Sequence, residues 1–197
     1  MERFWGNLRG ETSGGIVSTV AVAPDGRVLV AQRNGPPVLT FARTGELLAA
    51  WPRALALDPH GINVSRTGTP RALLVDRDAH QVLVCTLEGE VLFTLGARHE
   101  PCFQAPFNHP TSACFADDGD IYVADGYGNS RVHRFSDTGQ HLCSWGSPGT
   151  GPGQFSTPHS VWVDRRNRVL VADRENHRVQ VFERDGEYLA SWDGVYK

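Results

Sequence analysis

The sequence has no run of about 18 consecutive apolar residues, the length that a helix needs to cross a bilayer. Its first five residues, MERFW, also lack the apolar stretch of a secretory signal. We therefore expect a soluble, cytoplasmic protein that has no membrane partner.

An excess of positive charge is also absent. Lys and Arg together number 19 against 22 Asp and Glu, so the formal net charge is -3 at pH 7, whereas a general nucleic-acid binder presents a basic surface. We therefore expect no nucleic-acid partner. Hydrophobic residues make up 40% of the chain and charged residues 21%, a balance that excludes a wholly disordered protein.

Cysteine is scarce, and its spacing excludes the usual cysteine-based sites. The four residues, Cys85, Cys102, Cys114 and Cys143, include no Cys-x-x-Cys pair, so the sequence encodes neither a zinc knuckle nor a redox pair. Three of the four lie in apolar, strand-like segments, where cysteine is usually a small buried hydrophobe. We expect free thiols, as in a reducing compartment.

Helical periodicity is missing throughout, because Gly or Pro interrupts almost every window of about 15 residues. Strand patterns recur instead at a fixed period. The turn glycines Gly45, Gly89, Gly139 and Gly186 are 44, 50 and 47 residues apart. A period of this size is typical of propellers and solenoids.

Each period contains four short apolar segments separated by turns. In the last period these are residues 160–163, 169–172, 178–182 and 188–192, and four antiparallel strands form one blade of a β-propeller. We predict an all-β fold in a single domain, residues 1–197, with four-stranded blades at about 16–52, 59–96, 109–146 and 157–194.

Polar residues recur after the second strand of the third and fourth units. Asp125 and Asp173 end that strand, and Asn-x-Arg follows as Asn129 to Arg131 and Asn176 to Arg178. We interpret these residues as structural, because positions repeated in each unit usually serve the unit itself. The carboxylate would accept backbone N–H bonds from the following turn, and Asn and Arg would tie that loop to the next strand.

Two histidines break the repeat. His60 and His159 each follow a proline where an innermost strand begins, in the second and fourth units, and innermost strands line a propeller's central channel. In a closed ring of six blades, alternate blades lie about 120° apart, so three such histidines would form a metal site open to substrate. Only two of the three occur in this sequence. The alternative is that both histidines only form hydrogen bonds within the channel.

Four segments carry a resemblance to a known family. They are Pro59-His60-Gly61, DGYGNSR at 125–131, PGQFSTPHS at 152–160 and ADREN at 172–176. Together they resemble the NHL-repeat propellers and, among these, the peptidyl-α-hydroxyglycine α-amidating lyases. The resemblance implies a plan of six blades, of which this chain holds four, and places the family's third zinc-binding histidine after Lys197.

The resemblance also implies the roles of individual residues. His60 and His159 match zinc ligands, Tyr127 matches the proposed base, and Arg174 and Arg33 match the cations of the same site. A structural calcium ion bound by the backbone carbonyls of Val20 and Ile62 is a further candidate cofactor.

This set of residues would support cleavage of a peptide ending in α-hydroxyglycine into a peptide amide and glyoxylate. Zinc would act as a Lewis acid on the hydroxyl oxygen, the tyrosine would take the proton, and the arginines would hold negative charge. The alternative is a non-catalytic NHL propeller that binds a peptide or protein on one face. A peptide is the expected partner in either case.

Four blades of a six-bladed plan would either form an open arc or close less tightly than a normal four-bladed ring. Such an arc would expose apolar residues on its outer flanks, among them Val179 and Val181, and exposed apolar faces tend to associate. We therefore also expect self-association through the open blade edges.

Overall fold

The computed structural model describes Gly6 and residues 15–194, which consist of β-strands joined by turns. Within these residues, four antiparallel sheets of four strands each follow one another along the chain. This confirms the all-β, propeller-type fold expected from the sequence. No helix in this part of the chain is long and apolar enough to span a membrane.

Each blade is a meander in which consecutive strands pair. The first blade comprises β1 (Ile16–Val22), β2 (Val28–Arg33), β3 (Val38–Phe41) and β4 (Leu47–Ala50). The second comprises β5 (Pro59–Val64), β6 (Ala72–Asp76), β7 (Gln81–Cys85) and β8 (Val91–Gly96). The third comprises β9 (Ser112–Phe115), β10 (Ile121–Asp125), β11 (Arg131–Phe135) and β12 (His141–Trp145).

After the third blade, β13 (Ser147–Pro148) and β14 (Gln154–Phe155) form a short parallel pair. The fourth blade comprises β15 (Pro158–Val163), β16 (Val169–Asp173), β17 (Arg178–Phe182) and β18 (Tyr188–Asp193). Single 3-10 turns occur at Arg53–Leu55 and Arg174–Asn176.

The repeated glycines close the turn between the third and fourth strands of each blade. All four have a positive φ, between 86° and 95°, which L-residues with a side chain rarely adopt. At Gly186 a Cβ atom would also lie 2.6 Å from the ring of Trp145 in the preceding blade. The glycine period therefore reflects both the turn conformation and the close approach of neighbouring blades.

The core lies between neighbouring blades. Leu29 of the first blade shares a buried cluster with Leu74 of the second, and Trp145 of the third blade shares one with Phe182 of the fourth. A further cluster joins the second and third blades. Because each blade is packed on its neighbour, the innermost strands β1, β5, β9 and β15 lie side by side and line a common cavity.

The strand-ending aspartates are structural, but their partners differ from those expected. Asp125 accepts a hydrogen bond from the backbone N–H of Asn108 (3.0 Å), and Asp173 accepts one from Ser156 (2.7 Å). Both donors belong to the connection that enters the blade rather than to the turn that follows the aspartate. The carboxylates therefore fix the path of the chain from one blade to the next.

The outer flank of the fourth blade is apolar. Trp162 and Trp192 are about half exposed, and together with Val179 they line a groove on this flank. The prediction that Val181 is exposed is wrong, since this residue is only 2% exposed. Val181 lies on a central strand of the blade, between Leu170 and Ala190 on the two flanking strands.

Candidate active site

A β-bulge presents both candidate zinc ligands. In the ladder between β5 and β6, Pro59 pairs with Asp76 and Gly61 with Val75, so His60 is the extra residue. His159 is the extra residue between Pro158 and Ser160 in the same way. Bulges commonly re-aim a side chain beside an active site, and here both imidazoles line the channel cavity of about 260 Å³.

Tyr127 brings the two histidines together. It follows β10 in the third blade, and its hydroxyl lies 3.2 Å from Nε2 of His60 and 3.0 Å from Nε2 of His159. The two imidazole centroids are 5.2 Å apart. The structure thus places side chains from three blades around one oxygen atom.

The hydrogen bond formed by the second ring nitrogen of His60, Nδ1, determines the tautomer of this residue. Nδ1 lies 2.7 Å from the carbonyl oxygen of Thr111, and a carbonyl can only accept a hydrogen bond, so Nδ1 carries the proton. In the neutral ring, Nε2 is then the nitrogen with a free lone pair. Metal-bound histidines are commonly oriented through such a bond to a backbone carbonyl.

Both imidazoles favour the neutral form. Burial, together with the neighbouring His60 and Arg174, lowers the pKa of His159 to about 4. Burial is also the main cause that lowers the pKa of His60, with a contribution from Arg33 and Arg77. Neutral imidazole is the form that binds a metal ion, so both rings suit this role near pH 7.

Two arginines flank the ring of Tyr127. The guanidinium of Arg174 lies 5.4 Å from the ring centroid, and its Nη1 is 3.4 Å from the hydroxyl. The guanidinium of Arg77 lies 5.5 Å from the same centroid. Arg77 follows the strand-ending Asp76 in the second blade, as Arg174 follows Asp173 in the fourth.

Asp58 is a site residue that sequence reasoning missed. Its carboxylate lies 2.7 Å from Nε of Arg33 and 2.8 Å from Nε of Arg77, and the residue is only 7% exposed. Asp58 therefore forms ion pairs both with Arg33, which the sequence had placed in the site, and with Arg77, which lies beside Tyr127. The available signal was its position directly before Pro59-His60.

The described residues supply an incomplete metal site. His60 and His159 contribute two nitrogens, but this part of the chain holds no group of three or more His, Cys, Asp or Glu residues placed to bind a metal ion. Catalytic zinc sites normally have three protein ligands. Zinc binding by this pair remains a prediction.

Val20 and Ile62 lie farther along the channel. They line a second cavity, of about 440 Å³, in which Arg66 is the one charged residue of the described lining. Calcium prefers carboxylate and carbonyl oxygens, and this lining offers no carboxylate. The calcium site remains a prediction that depends on backbone oxygens alone.

Family comparison agrees with the repeat architecture. Residues 107–135 and 155–182 match the NHL repeat family. The chain contains NHL repeats. These two segments hold Tyr127, His159 and Arg174, so the matched repeats carry part of the candidate site.

Among curated relatives, NHL repeat-containing protein 3 of Mus musculus is 37% identical over 195 residues, which cover 91% of this chain and 56% of that protein. A probable peptidyl-alpha-hydroxyglycine alpha-amidating lyase of Caenorhabditis elegans is 32% identical over 154 residues, covering 76% of this chain and 43% of that protein. The chain therefore spans about half the length of these relatives. These NHL repeats resemble those of the lyases.

Solved structures support the fold alone. The streptogramin B lyase structure superposes with a TM-score of 0.70 over 95% of this chain and 57% of that chain, at 14% identity. The WD40 repeats of RRP9 give a TM-score of 0.71 over 94% of this chain and 55% of that chain, at 15% identity. Both likenesses support a propeller-type fold for the described blades.

Proposed function

We propose that this NHL propeller is a zinc-dependent lyase that cleaves peptidyl-α-hydroxyglycine to a peptide amide and glyoxylate. The observation that carries the proposal is the convergence of His60 Nε2 and His159 Nε2 on the Tyr127 hydroxyl, with Arg174 beside it. The resemblance to amidating lyases supports the choice of substrate class.

The donor set fits zinc in part. Two neutral imidazoles with accessible Nε2 atoms are suitable zinc ligands, and the bond from His60 Nδ1 to Thr111 O fixes the orientation of one of them. The bound ion would supply a Lewis acid that makes the α-hydroxyl group of the substrate more acidic. A third ligand would have to come from outside the described residues.

The chain's own residues would manage the proton and the charges. Tyr127 takes the proton of the α-hydroxyl and passes it to the amide nitrogen as the N–C bond breaks, so that the peptide leaves as an amide and the carbon as the aldehyde of glyoxylate. Arg174 stabilises negative charge on the Tyr127 oxygen, and Arg33 binds the carboxylate of the substrate.

A non-catalytic peptide-binding propeller is the second candidate. It is favoured by the donor set itself, because two histidines alone are fewer than the three ligands usual at catalytic zinc. In that case the same channel mouth would bind a peptide without turnover. Metal content and product release distinguish the two functions.

The test measures bound zinc and glyoxylate release from an N-acyl-α-hydroxyglycine peptide, for the 197-residue chain and for any longer natural form. With two ligands we expect weak zinc binding and feeble turnover; with a third ligand we expect one zinc per chain and clear release. Tyr127→Phe should lower kcat by a factor of about 10²–10⁴ and leave zinc bound, whereas His159→Ala should remove both.

His141→Ala is the matched control, since this histidine is exposed on the outermost strand of the third blade. It should change neither zinc content nor turnover. A longer, zinc-replete form that releases no glyoxylate would refute the lyase and leave the peptide-binding propeller.

A further inference from the structure

A groove of about 330 Å³ leads away from the candidate active site between the third and fourth blades. Tyr127 is one of its lining residues, and the hydroxyl of this residue contacts the two channel histidines. Phe103 and Gln104 form one wall, and Gly149 and Thr150 form the other. The volume is at the small end of the range of ligand pockets, about 300–1,000 Å³.

Both walls are held in place by the repeated asparagines. Asn129 accepts a hydrogen bond from the backbone N–H of Gln104 (2.9 Å) and donates to the carbonyl oxygen of Cys102 (2.9 Å). Asn176 donates to the carbonyl oxygen of Gly149 (2.9 Å) on the opposite wall. The groove is therefore preformed, and a ligand need not order its walls on binding.

The chemistry of the groove differs from that of the channel mouth. None of the described residues that line it carries a charge, although three arginines lie around Tyr127 and the histidines. Phe103 on its rim is 78% exposed, more than any other large apolar side chain in the described part of the chain. An apolar side chain would gain by packing on Phe103, whereas a charged one would lose water without gaining a partner.

We propose that this groove binds the residue that precedes the C-terminal glycine of a peptide, and that it selects an apolar side chain through Phe103. The proposal rests on the proposed function for one point, that the C-terminal residue lies at His60 and His159. Tyr127 belongs both to the histidine cluster and to the groove lining, so a peptide whose last residue is bound at the histidines can place its preceding residue in the groove.

The test compares dissociation constants of three unreactive peptides, N-acetyl-Phe-Gly, N-acetyl-Ala-Gly and N-acetyl-Asp-Gly, by calorimetry with the 197-residue chain and added zinc. We expect Phe-Gly to bind about 10-fold more tightly than Ala-Gly, and Asp-Gly to bind most weakly. A factor of ten corresponds to about 1.4 kcal/mol, which is the transfer free energy of roughly 55 Å² of apolar surface.

Two variants locate the preference. Phe103→Ala should reduce the Phe-Gly over Ala-Gly ratio to below about 3-fold and leave the Ala-Gly constant unchanged. Thr150→Arg, which adds a cation to the opposite wall, should make Asp-Gly bind more tightly than Ala-Gly. Leu142→Ala, an exposed apolar residue on the outermost strand of the third blade, is the control and should keep the wild-type ratio.

Equal binding of the three peptides, no detectable binding of any, or an unchanged ratio in Phe103→Ala would overturn the groove proposal. Its failure is separable from failure of the lyase, because glyoxylate release with no preference among peptides refutes only the groove. A preserved Phe-Gly preference, together with no glyoxylate release from a longer, zinc-replete form, refutes only the lyase.

Discussion

The arginine of the Asn-x-Arg motif contributes more to stability in the fourth blade than in the third. We therefore predict that replacing Arg178 by Met destabilises the fold more than replacing Arg131 by Met. In the fourth blade, Arg178 donates from Nε to the buried carboxylate of Asp173 (2.8 Å) and from its Nη atoms to the carbonyl oxygens of Thr150, Gly151 and Gln154 (2.7–2.9 Å). In the third blade, Arg131 forms no hydrogen bond to Asp125 among the described residues and makes only two longer bonds from Nη1, of 3.2 and 3.4 Å.

The loss of stability in Arg178→Met can be estimated from the buried Asp173 carboxylate that would lose its arginine partner. Removing one partner of a buried ion pair costs about 3–5 kcal/mol. Asp173 keeps donors from Ser156, Asn176 and Gln180, so we expect the low end, a loss of about 3 kcal/mol in the free energy of unfolding. For a chain of this size that corresponds to a fall of about 6–12 °C in Tm.

The matched variant Arg131→Met should be mild. Its two long hydrogen bonds contribute about 1 kcal/mol together, and the substitution also removes Nε, a buried donor without a partner among the described residues. Urea denaturation of both variants measures the two losses in the free energy of unfolding, provided that the m-values are equal to that of the wild type. Equal losses in the two variants, or a loss below about 1 kcal/mol for Arg178→Met, would refute the reasoning.

Three further measurements follow from the fold. Gly186→Ala should lower the free energy of unfolding by clearly more than Gly26→Ala. At residue 26 a Cβ atom meets nothing within 4 Å, so only the positive φ costs stability, about 1 kcal/mol. At residue 186 the Cβ atom would in addition clash with the Trp145 ring. Light scattering should detect concentration-dependent association that Trp192→Glu reduces; a wild-type chain that stays monomeric would contradict the exposed-flank argument. Burial lowers the pKa of His133 despite its bond to Asp125, so the folded imidazole gains a proton at a lower pH than the unfolded one, whose pKa is about 6.5. The free energy of unfolding should therefore fall between pH 7.5 and pH 5.5, and by less in His133→Gln; equal falls would count against this assignment.

The blade pattern could be predicted from the sequence because it depends on local features. Turn glycines need a positive φ, and strands need alternating or β-branched residues, so both recur wherever the unit recurs. The position of His60 and His159 was predictable for the same reason, since the repeat places each of them where an innermost strand begins. The convergence of their Nε2 atoms on Tyr127 additionally required the bulges, for which a single sequence carries no signal.

Features that depend on individual side-chain contacts could not be predicted. Asp58 precedes Pro59 without any motif of its own, and only packing brings it between Arg33 and Arg77. Arg131 and Arg178 share a motif, yet only Arg178 reaches the carboxylate of its own blade. In the third blade, His133 forms a hydrogen bond with Asp125 instead. A residue outside the motif therefore decides whether the motif arginine reaches the aspartate.

The charges at the channel mouth tie the metal question to the substrate question. Three arginines lie there and each contacts a carboxylate: Arg33 and Arg77 contact Asp58, Arg77 also contacts Asp78, and Arg174 contacts Glu175. With both imidazoles neutral, these six groups sum to zero, so the site alone has little net attraction for an anion. A divalent cation at the imidazoles would add two positive charges. The carboxylate of an α-hydroxyglycine peptide and its deprotonated hydroxyl would supply two negative ones. Bound zinc should therefore be needed for this site to attract the substrate, whereas zinc binding alone does not establish turnover.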